Sequence, residues 1–553
     1  MSIGILRGTN PRNPFALYIG EILAIEGLPY QFVTGSFDGE VLIVPDLALT
    51  PAQRDFVWQW AGASKGLLAL RPGRELWPLF GLTGREDYVF TWADRYLRLS
   101  DGTLLQYHGP ADLLRAPEAE VLAWLQCACR GAPSEHPALV RCEDGGRRAA
   151  FTFDLARSTV LFHQGRSDQA GDGPNPDPDG DGGFKPNDLF VNYLDPRLKE
   201  IPQADVYQTL LVQLLDWLTE KTTPLPRLWR FPQGQPALAF LTGDSDGAPA
   251  EELHLAFDLA EQRGLKYTLY LMTRDFPQLP PPEVAALRER GHSVGLHPWA
   301  DLTPRVAEFR RHLRQEYAGF QERYGYLPAT TRHHCCIVAG WTETQETAAE
   351  LGVRMDLNFY SARGFQWGFL NGSALPVKFC RRDGRLIDCY SQCTLTSDDC
   401  MLEDKTLLPV HTVDEAITLT LRLLDDLRTR WQGVYQPCFH PLRLRQAPPP
   451  TQVWYEATLD ALREREFLSV SGEEWVAFNE ARRAVRLTRQ GEGWQLYAPQ
   501  AIQGLTILFP ARVERVAVNG QSQPLQPVKW NGVAAKWFVV DAAAGETLRL
   551  TVR

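Results

Sequence analysis

Two short motifs of this 553-residue chain combine residue types and spacings that could do chemistry. The turn Asp244-Ser245-Asp246 follows an apolar run, residues 237–241, that predicts a buried strand. The motif 291–297 reads Gly-His-Ser-Val-Gly-Leu-His and ends in His297. Divalent metals prefer carboxylate and imidazole ligands, so one aspartate could bind a metal while the other takes a proton from water. The structural alternative for the turn is a helix N-cap, which Asp and Ser form well.

The elements that must position these motifs alternate between strands and helices. The strand-like runs 237–241 and 267–271 are separated by a helical stretch, and a second predicted helix, 282–290, precedes the histidines. This order is typical of a βα-repeat enzyme, in which the working groups lie on the loops after the strands. We therefore expect the acidic turn and His297 to lie on such loops.

A second carboxylate follows His297. Asp301 lies four residues later, a spacing that puts both side chains on one face if the segment is helical. Pro298 would then occupy the first helical turn, where proline is tolerated. The pair could act as a two-ligand clamp for a metal, and the alternative is a packed histidine beside a surface cap.

Two later motifs add an arginine and further histidines. Arg332 precedes His333 and His334, and an arginine buried there needs partners, which points to an anionic or metal-containing site. In an extended segment Arg332 and His334 share one face. His440 follows a strand-like run from residue 433, where it could protonate a leaving group. A histidine satisfied by backbone hydrogen bonds is the alternative.

The order of these motifs resembles that of the polysaccharide deacetylase superfamily, whose members are metal-dependent carbohydrate esterases with an irregular (β/α) barrel. The resemblance covers about residues 236–475, and its most specific parts are 244–247 and 291–297. It implies a role for each matching residue: Asp244 as catalytic base, Asp246 and His297 as metal ligands, Arg332 as the arginine that orients the base, and His440 as the late catalytic histidine.

The chain departs from the family pattern at three places. Ser245 separates aspartates that are adjacent in the family, Asp301 stands where the family has its second metal histidine, and Arg332-His333-His334 replaces Arg-Pro-Pro-Tyr-Gly. Either Asp301 or His334 could supply the third ligand, and His334 is favoured because imidazole is the better zinc ligand. The expected cofactor is a divalent metal, with zinc favoured.

The resemblance implies a hydrolase that removes an acetyl group from an N- or O-acetylated sugar. A carbohydrate-binding barrel without turnover and a hydrolase of non-sugar C–N bonds are the alternatives. For substrate binding we expect Asp356 and Asn358, which share a face if extended, and Trp367, although large aromatics are more often part of a core.

A Gly/Pro/Asp-rich loop, residues 165–188, contains the register of a calcium-binding loop. The carboxylates at the first, third, fifth and twelfth positions are Asp177, Asp179, Asp181 and Asp188, with a glycine at the sixth. The alternative is a solvated excursion of the chain that binds no calcium.

The sequence predicts three domains: an α/β domain at 1–225, the barrel at 236–479 and a small β-sandwich at 485–553, with a proline-rich linker around 224–235. The domain at 1–225 alternates strands and helices, as a flavodoxin-like fold does, and it resembles glutamine-amidotransferase-like folds. It has no Gly-x-Cys-x-Gly elbow, so we expect a role in packing or substrate access and no cysteine nucleophile. In the last domain, Asn519-Gly520 predicts a hairpin.

Composition limits the classes of partner. The formal net charge is −10, so there is no overall basic field for nucleic acid or an anionic membrane. The sequence starts without a recognisable secretory signal, and no stretch reaches the roughly 20 apolar residues that span a bilayer, so we expect a cytoplasmic protein. Four cysteines lie close together: Cys380, Cys389, Cys393 and Cys400. Their spacing matches no CxxC pair, and free cysteines are usually buried, so we expect buried free thiols there and not disulfides or a zinc site.

Overall fold

A computed structural model describes most of the chain. The described residues are 2–88, 95–127, 131–170, 183–222, 224–272, 279–299, 305–360, 366–402, 410–445, 450–530 and 532–553. Within them the chain forms a mixed α/β structure with two nine-stranded sheets, as the alternating strand and helix patterns predict.

The amino-terminal sheet has a parallel half and an antiparallel half. In sheet order its strands are Tyr30–Val33, Ile3–Leu6, Val41–Val44, Gly66–Leu70, Arg147–Phe151, Pro137–Glu143, Glu120–Gln126, Tyr96–Leu99 and Leu104–Gln106. The first five pair in parallel and the rest antiparallel. The strands Val41–Val44 and Gly66–Leu70 are buried along their whole length, because helices or loops cover both faces of a parallel sheet. The relation to amidotransferase-like folds stays a prediction.

Neighbouring residues explain where one helix of the amino-terminal region starts. The helix Pro51–Gly62 starts at a capping box in which Thr50 and Gln53 exchange hydrogen bonds, with Pro51 at the first helical position. The α-helices of this region are Ile19–Ile25, Pro51–Gly62, Leu155–Gln164 and Gln203–Leu218, and a further two-stranded sheet pairs Thr83–Tyr88 with Ala111–Arg115.

The central sheet carries the motifs with catalytic residue types. In order its strands are Val377–Cys380, Leu386–Ser391, Met355–Asp356, Thr330–Thr331, Ser293–Leu296, Thr268–Leu271, Thr242–Asp244, Pro437–Cys438 and Thr396–Ser397. All neighbours are parallel except Val377–Cys380. Only residues 392–395 separate Leu386–Ser391, near one end of the sheet, from Thr396–Ser397 at the other. A segment this short spans roughly 18 Å at most, so the sheet curls back on itself. A closed (β/α) barrel stays a prediction.

The strand predicted at 237–241 is shorter in the structure, where it comprises Leu238–Ala239. Leu238–Ala239 lies between Val434–Tyr435 and Leu468–Ser469 in a small parallel sheet, whereas Thr242–Asp244 belongs to the central sheet. Both segments are fully buried, and an unbroken apolar run does not indicate where the pairing partners change.

Helices pack around the central sheet. Its α-helices are Ala250–Glu261, Pro281–Glu289, Val306–Tyr324, Glu343–Glu350, Asp398–Leu402, Val413–Asp426, Pro441–Arg445, Gln452–Glu464 and Gly472–Ala484. One continuous buried apolar cluster extends from the amino-terminal sheet through this region into the carboxyl-terminal strands. A second, smaller cluster lies within the amino-terminal region. Because the larger cluster spans all three predicted domains, the division into domains stays a prediction.

The carboxyl-terminal residues form two antiparallel sheets. The four-stranded sheet contains Arg227–Leu228, Ile502–Pro510, Val533–Ala542 and Gln526–Trp530, and the five-stranded sheet Arg486–Gln490, Gly493–Ala498, Glu546–Val552, Val516–Val518 and Gln521–Gln523. Val518 pairs with Gln521 across Asn519 and Gly520, whose φ angles of 50° and 85° confirm the predicted hairpin. Within the predicted linker, Arg227–Leu228 pairs with Ile502–Pro510.

The described cysteines are all free thiols, including Cys380, Cys389, Cys393 and Cys400, which are buried as predicted. Among the described helices, none combines the length and the apolar character that a membrane crossing requires.

Candidate active site

Four of the predicted site residues follow neighbouring strands of the central sheet. Asp244 ends Thr242–Asp244, His297 follows Ser293–Leu296, Arg332 follows Thr330–Thr331 and His440 follows Pro437–Cys438. These strands run parallel, so their carboxyl ends lie at one edge of the sheet and the side chains converge there.

Asp244 and Arg332 form a buried ion pair. The Arg332 Nε lies 2.9 Å from both carboxylate oxygens of Asp244, and Nη2 lies 2.7 Å from Oδ1. Nη1 donates to the Thr242 hydroxyl at 2.9 Å, and Arg332 is 1% exposed. Several donors to one carboxylate fix its orientation, and removing either partner would leave a lone buried charge.

His297 is oriented by a backbone carbonyl. Its Nδ1 lies 2.6 Å from the carbonyl oxygen of Arg332, which can only accept, so Nδ1 carries a proton. Nε2 then faces Asp246, 3.1 Å from Oδ1. A carbonyl that orients the far nitrogen of an imidazole is typical of metal-binding histidines.

Asp246 lies among three imidazoles. Its Oδ1 is 3.1 Å from His297 Nε2 and 3.9 Å from His334 Nε2, and its Oδ2 is 3.5 Å from His440 Nε2. Burial alone would raise the pKa of Asp246, but the hydrogen bond with His297 and the charges of the histidines hold it well below its ordinary value. The Asp246 side chain is 29% exposed, so the cluster opens to solvent on this side.

The serine between the two aspartates has a structural role. Ser245 is fully buried, its N–H donates to the Tyr270 carbonyl at 3.0 Å, and its hydroxyl accepts from the Met272 N–H at 3.0 Å. Both bonds tie the turn to the neighbouring strand, Thr268–Leu271, and leave Asp244 and Asp246 facing the histidines. The inserted serine therefore keeps the two carboxylates near one centre.

Close backbone packing supports the same turn at Gly243. A Cβ atom added there would lie 1.8 Å from the Tyr267 hydroxyl and 2.1 Å from the Phe439 carbonyl oxygen. Only glycine allows this approach between the strand of Asp244 and the strand that leads to His440.

His334 is the described candidate for a third ligand. It lies on the short turn His334–Cys336, and its ring stacks on Trp299 with centroids 4.2 Å apart. Asp301, the alternative, lies outside the described residues. Residues 297–299 are not helical, so the described part of this segment lacks the helix that would put His297 and Asp301 on one face.

His440 is held by a carboxylate that the sequence patterns did not single out. Oδ1 of Asp398 lies 2.5 Å from His440 Nδ1, and Oδ2 accepts from the His440 N–H at 2.9 Å. Nε2 points to the cluster, 4.0 Å from Asp244 Oδ2. Burial alone would lower the pKa of His440, but Asp398 and the other carboxylates raise it to about 10. The only sequence signal for Asp398 is its position after a short strand, Thr396–Ser397.

The donor set around Asp246 fits a divalent metal. Two ligands of one tetrahedral zinc lie about 3.4 Å apart, and the three histidine contacts of Asp246 measure 3.1, 3.5 and 3.9 Å. Asp246, His297 and His334 provide one carboxylate and two imidazoles, which is a common catalytic zinc set.

In the described part of the chain, two other groups of side chains could also hold a metal, because in each group one potential ligand atom per residue lies within 4.8 Å of the others. They are Asp244–Cys438–His440 and Asp398–Asp399–His440. The Cys438 sulfur lies 3.0 Å from Arg332 Nη2, and burial raises the pKa of this thiol well above its ordinary value. A protonated thiol is a poor ligand. Both oxygens of Asp398 already bind His440. We therefore favour Asp246, His297 and His334 as the ligands. The distance from His334 Nε2 to Asp246 Oδ1, 3.9 Å, is the longest of the three histidine contacts of Asp246.

The structure corrects the expected substrate-binding residues. Asp356 and Asn358 are 0% exposed, and the Asp356 carboxylate accepts from the Asn358 N–H at 2.7 Å and from its side-chain amide at 3.0 Å. Asn358 Oδ1 in turn accepts from the His333 N–H at 2.7 Å, so this pair positions the Arg332–His334 loop. Their polar atoms bind the protein itself, which leaves none facing a substrate.

Trp367 is also buried. It is 4% exposed, and Lys199 and Arg422 lie 4.9 and 5.6 Å from the ring centroid. A side chain this buried has no open aromatic face for a sugar, so Trp367 belongs to the core.

The calcium prediction is tested at one residue only. Asp177, Asp179 and Asp181 lie outside the described residues. Asp188 is buried, and its Oδ2 accepts from the Lys185 N–H at 2.8 Å at the start of the turn Pro186–Phe190. This carboxylate therefore caps a turn. The carbonyl of Phe184 accepts from Val338 N–H at 3.0 Å, which places the end of this loop beside the segment that follows His334–Cys336.

No family model and no curated protein matches the chain. Among solved structures it is similar to a putative polysaccharide deacetylase from Mycobacterium smegmatis, at 15% identity over 48% of this chain and 98% of that chain, with a TM-score of 0.36. It is similar to an allantoinase at 11% identity, covering 45% and 91%, with a TM-score of 0.35. It is also similar to a Bacillus cereus polysaccharide deacetylase at 17% identity, covering 43% and 93%, with a TM-score of 0.27. Because identities and TM-scores are this low, these similarities establish neither a family nor a function.

Proposed function

We propose that the chain is a metal-dependent hydrolase that removes an acetyl group from an N- or O-acetylated sugar. The observation that supports this most is the position of Asp246. Its carboxylate lies among the imidazoles of His297, His334 and His440. Asp398 binds His440, and the Asp244–Arg332 pair lies next to the same cluster. A metal site flanked by a fixed carboxylate and a protonated histidine provides the groups that acyl hydrolysis needs.

Asp246, His297 and His334 would hold the metal. When bound, a divalent ion such as zinc would polarise the acyl carbonyl and lower the pKa of a water. The carbonyl of Arg332 keeps the proton of His297 on Nδ1 and leaves Nε2 for this role.

Asp244 and His440 would move the protons. Asp244 accepts the proton of the attacking water, while Arg332 holds its carboxylate in place. His440 donates a proton through Nε2 to the departing amine or alcohol, because Asp398 binds its Nδ1 and keeps the ring charged. His440 Nε2 lies 4.0 Å from Asp244 Oδ2, so the proposed acid and the proposed base face the same cluster.

The sugar part of the proposal rests on the family resemblance and on an aromatic side chain at the cluster. Trp299 is 40% exposed and stacks on His334. A partly exposed indole beside a reaction centre provides an apolar face for a sugar ring. Trp299, and not the buried Trp367, would therefore be the aromatic side chain that contacts the sugar. The (β/α) barrel, the flavodoxin-like first domain and the carboxyl-terminal β-sandwich are part of the same proposal.

Acetate release is the test of this function. The purified chain, stripped with a chelator and reloaded with zinc, cobalt or manganese, is incubated with N-acetylated and O-acetylated oligosaccharides and with linear acetamides. We expect metal-dependent acetate release from the sugars, and none from Asp244→Asn, which still binds them. Release from linear amides alone would favour the C–N hydrolase. Sugar binding without acetate release by any metal form would favour the non-catalytic protein.

A further inference from the structure

A second polar cavity lies in the amino-terminal region, at the carboxyl edge of the parallel strands. Its volume is about 440 Å³. Asn10 and Arg12 line it from the loop after Ile3–Leu6, Asp46 from the loop after Val41–Val44, and Arg71 from the end of Gly66–Leu70. Asp112 and Arg157 complete its charged wall.

The cavity lies where the strand order reverses. From Ile3–Leu6 the chain moves to Tyr30–Val33 on one side and then crosses to Val41–Val44 on the other. Parallel doubly wound sheets bind ligands in the crevice outside the strand ends at this reversal. The loops that follow Ile3–Leu6 and Val41–Val44 both line the crevice, and a hydrogen bond from the Asn10 side chain to the Asp46 carbonyl oxygen, at 3.1 Å, holds them together.

The carboxylates of the cavity are already bound within the protein. Asp46 accepts from the side-chain amides of Asn13 at 3.0 Å and Asn10 at 3.2 Å, and Asp112 accepts from Arg71 Nη2 at 2.9 Å. Burial also raises the pKa of Asp46 above its ordinary value, although the nearby arginines oppose this. These acids therefore have little capacity left for a cationic ligand.

Two arginines of the cavity, in contrast, have donors to spare. Among the described residues the Arg157 guanidinium donates one hydrogen bond, from Nη1 to the Arg12 carbonyl oxygen at 3.3 Å, and its Nη2 has no hydrogen-bond partner there. Across the described chain, no carboxylate lies within ion-pair distance of Arg157 or of the exposed Arg12. A guanidinium that lines a cavity and has no carboxylate partner can donate to an anion bound there.

We propose that this cavity binds a small anionic ligand through a carboxylate or phosphate group, with Arg157 and Arg12 as the charged donors. The planar guanidinium donates two parallel hydrogen bonds to such groups, and three arginines against two aspartates give the wall an excess of positive charge. The site is separate from the cluster around Asp246 and does not depend on the hydrolase proposal.

The experiment is isothermal titration calorimetry on the full chain with sodium glucuronate, sodium phosphate and neutral glucose. We expect saturable binding of at least one anion, and none of glucose. Arg157→Gln and Arg12→Gln should each weaken it by roughly tenfold or more, as expected when a charged hydrogen bond is lost. Arg85→Gln, which removes an exposed arginine on a neighbouring strand, should bind as wild type.

The choice of probes makes each outcome decisive. Binding of glucuronate alone would identify a carboxylate ligand, and binding of phosphate alone a phosphorylated one. Wild-type affinity in both arginine variants would overturn the proposal, as would the absence of saturable heat with either anion at about 10 mM, a concentration far above ordinary metabolite affinities. If Arg157→Gln does not fold, the exposed Arg12 still decides, because its replacement removes no buried contact.

Discussion

The carboxylate of Asp398 binds two atoms of His440, its backbone N–H and its ring Nδ1, at 2.9 and 2.5 Å. Asp398 itself is fully buried. One acid therefore fixes the position of the chain at the end of the strand Pro437–Cys438 and the direction in which the imidazole presents Nε2. The contact therefore fixes both the backbone and the ring of the residue that we propose as the general acid.

Replacing Asp398 by asparagine tests this contact. In Asp398→Asn the ring loses its charged partner, so the pKa of His440 falls from about 10 and the ring is neutral at a lower pH. Because the acid must be protonated, activity on the alkaline side is lost at a lower pH than in wild type. We expect kcat to fall by roughly 100-fold at neutral pH with little change in KM. The measurement is the pH dependence of kcat, and an unchanged alkaline limb would contradict the assignment.

Arg332→Lys tests the geometry of the buried pair without removing its charge. A lysine ammonium cannot make the forked contacts that join the guanidinium to Asp244 and Thr242. We expect a loss of about 1.5–3 kcal/mol in unfolding free energy, as for a lost charged hydrogen bond, together with a clear loss of kcat. Denaturant unfolding and acetate release measure the two effects. An activity and a stability equal to wild type would mean that Arg332 does not orient the base.

The identity of the third ligand is decided by His334→Ala. Removing a metal ligand should weaken zinc affinity by more than about 100-fold, since even the loss of an outer partner costs tenfold to 100-fold. Competition with a chromophoric chelator gives the affinity, and His254→Ala, which removes an exposed histidine on the helix Ala250–Glu261, serves as control. If His334→Ala keeps its zinc and Asp301→Ala loses it, the third ligand is Asp301.

A pH-dependent loss of stability is expected from His163, away from the active site. Its ring is fully buried with Nδ1 3.0 Å from the Asn371 carbonyl oxygen, and burial lowers its pKa to about 4. Above the unfolded pKa of roughly 6.5 both states are neutral, and below it the unfolded chain binds the proton first. The fold therefore loses stability as the pH falls from 6.5 toward 4, by about 2 kcal/mol near pH 5.

His163→Gln should reduce this loss, measured as the difference in unfolding free energy between pH 7 and pH 5. The exposed His254→Gln serves as control and should show the wild-type difference. If His163→Gln loses as much stability on acidification as wild type, the buried ring is not the source of the effect.

The sequence predicted the elements with strong local patterns. The helix Pro51–Gly62 is an example, because Thr50, Pro51 and Gln53 form its start from neighbouring residues alone. The turn of Asp244 and the position of His440 were also predictable, since each follows an apolar run.

Contacts between distant segments were not predictable. Asp398 and His440 are 42 residues apart, and nothing near Asp398 distinguishes it from a helix cap. Asp356 and Asn358 have the alternation expected of a binding pair, yet the same alternation suits a buried pair that bonds to itself. The apolar run 237–241 forms a strand only at Leu238–Ala239, and the next strand, Thr242–Asp244, belongs to another sheet. Pairing partners, which lie far along the chain, decide where each strand ends.

The most direct test of the central claim is the metal content of zinc-loaded protein, measured by mass spectrometry on wild type and His297→Ala. His297 is buried and bonded to both Arg332 and Asp246, so its loss should remove a ligand at the centre of the cluster. We predict about one equivalent of metal in wild type, as for a single tetrahedral site, and a large loss in the variant. Wild type that takes up no zinc, cobalt or manganese would contradict the metal-dependent mechanism.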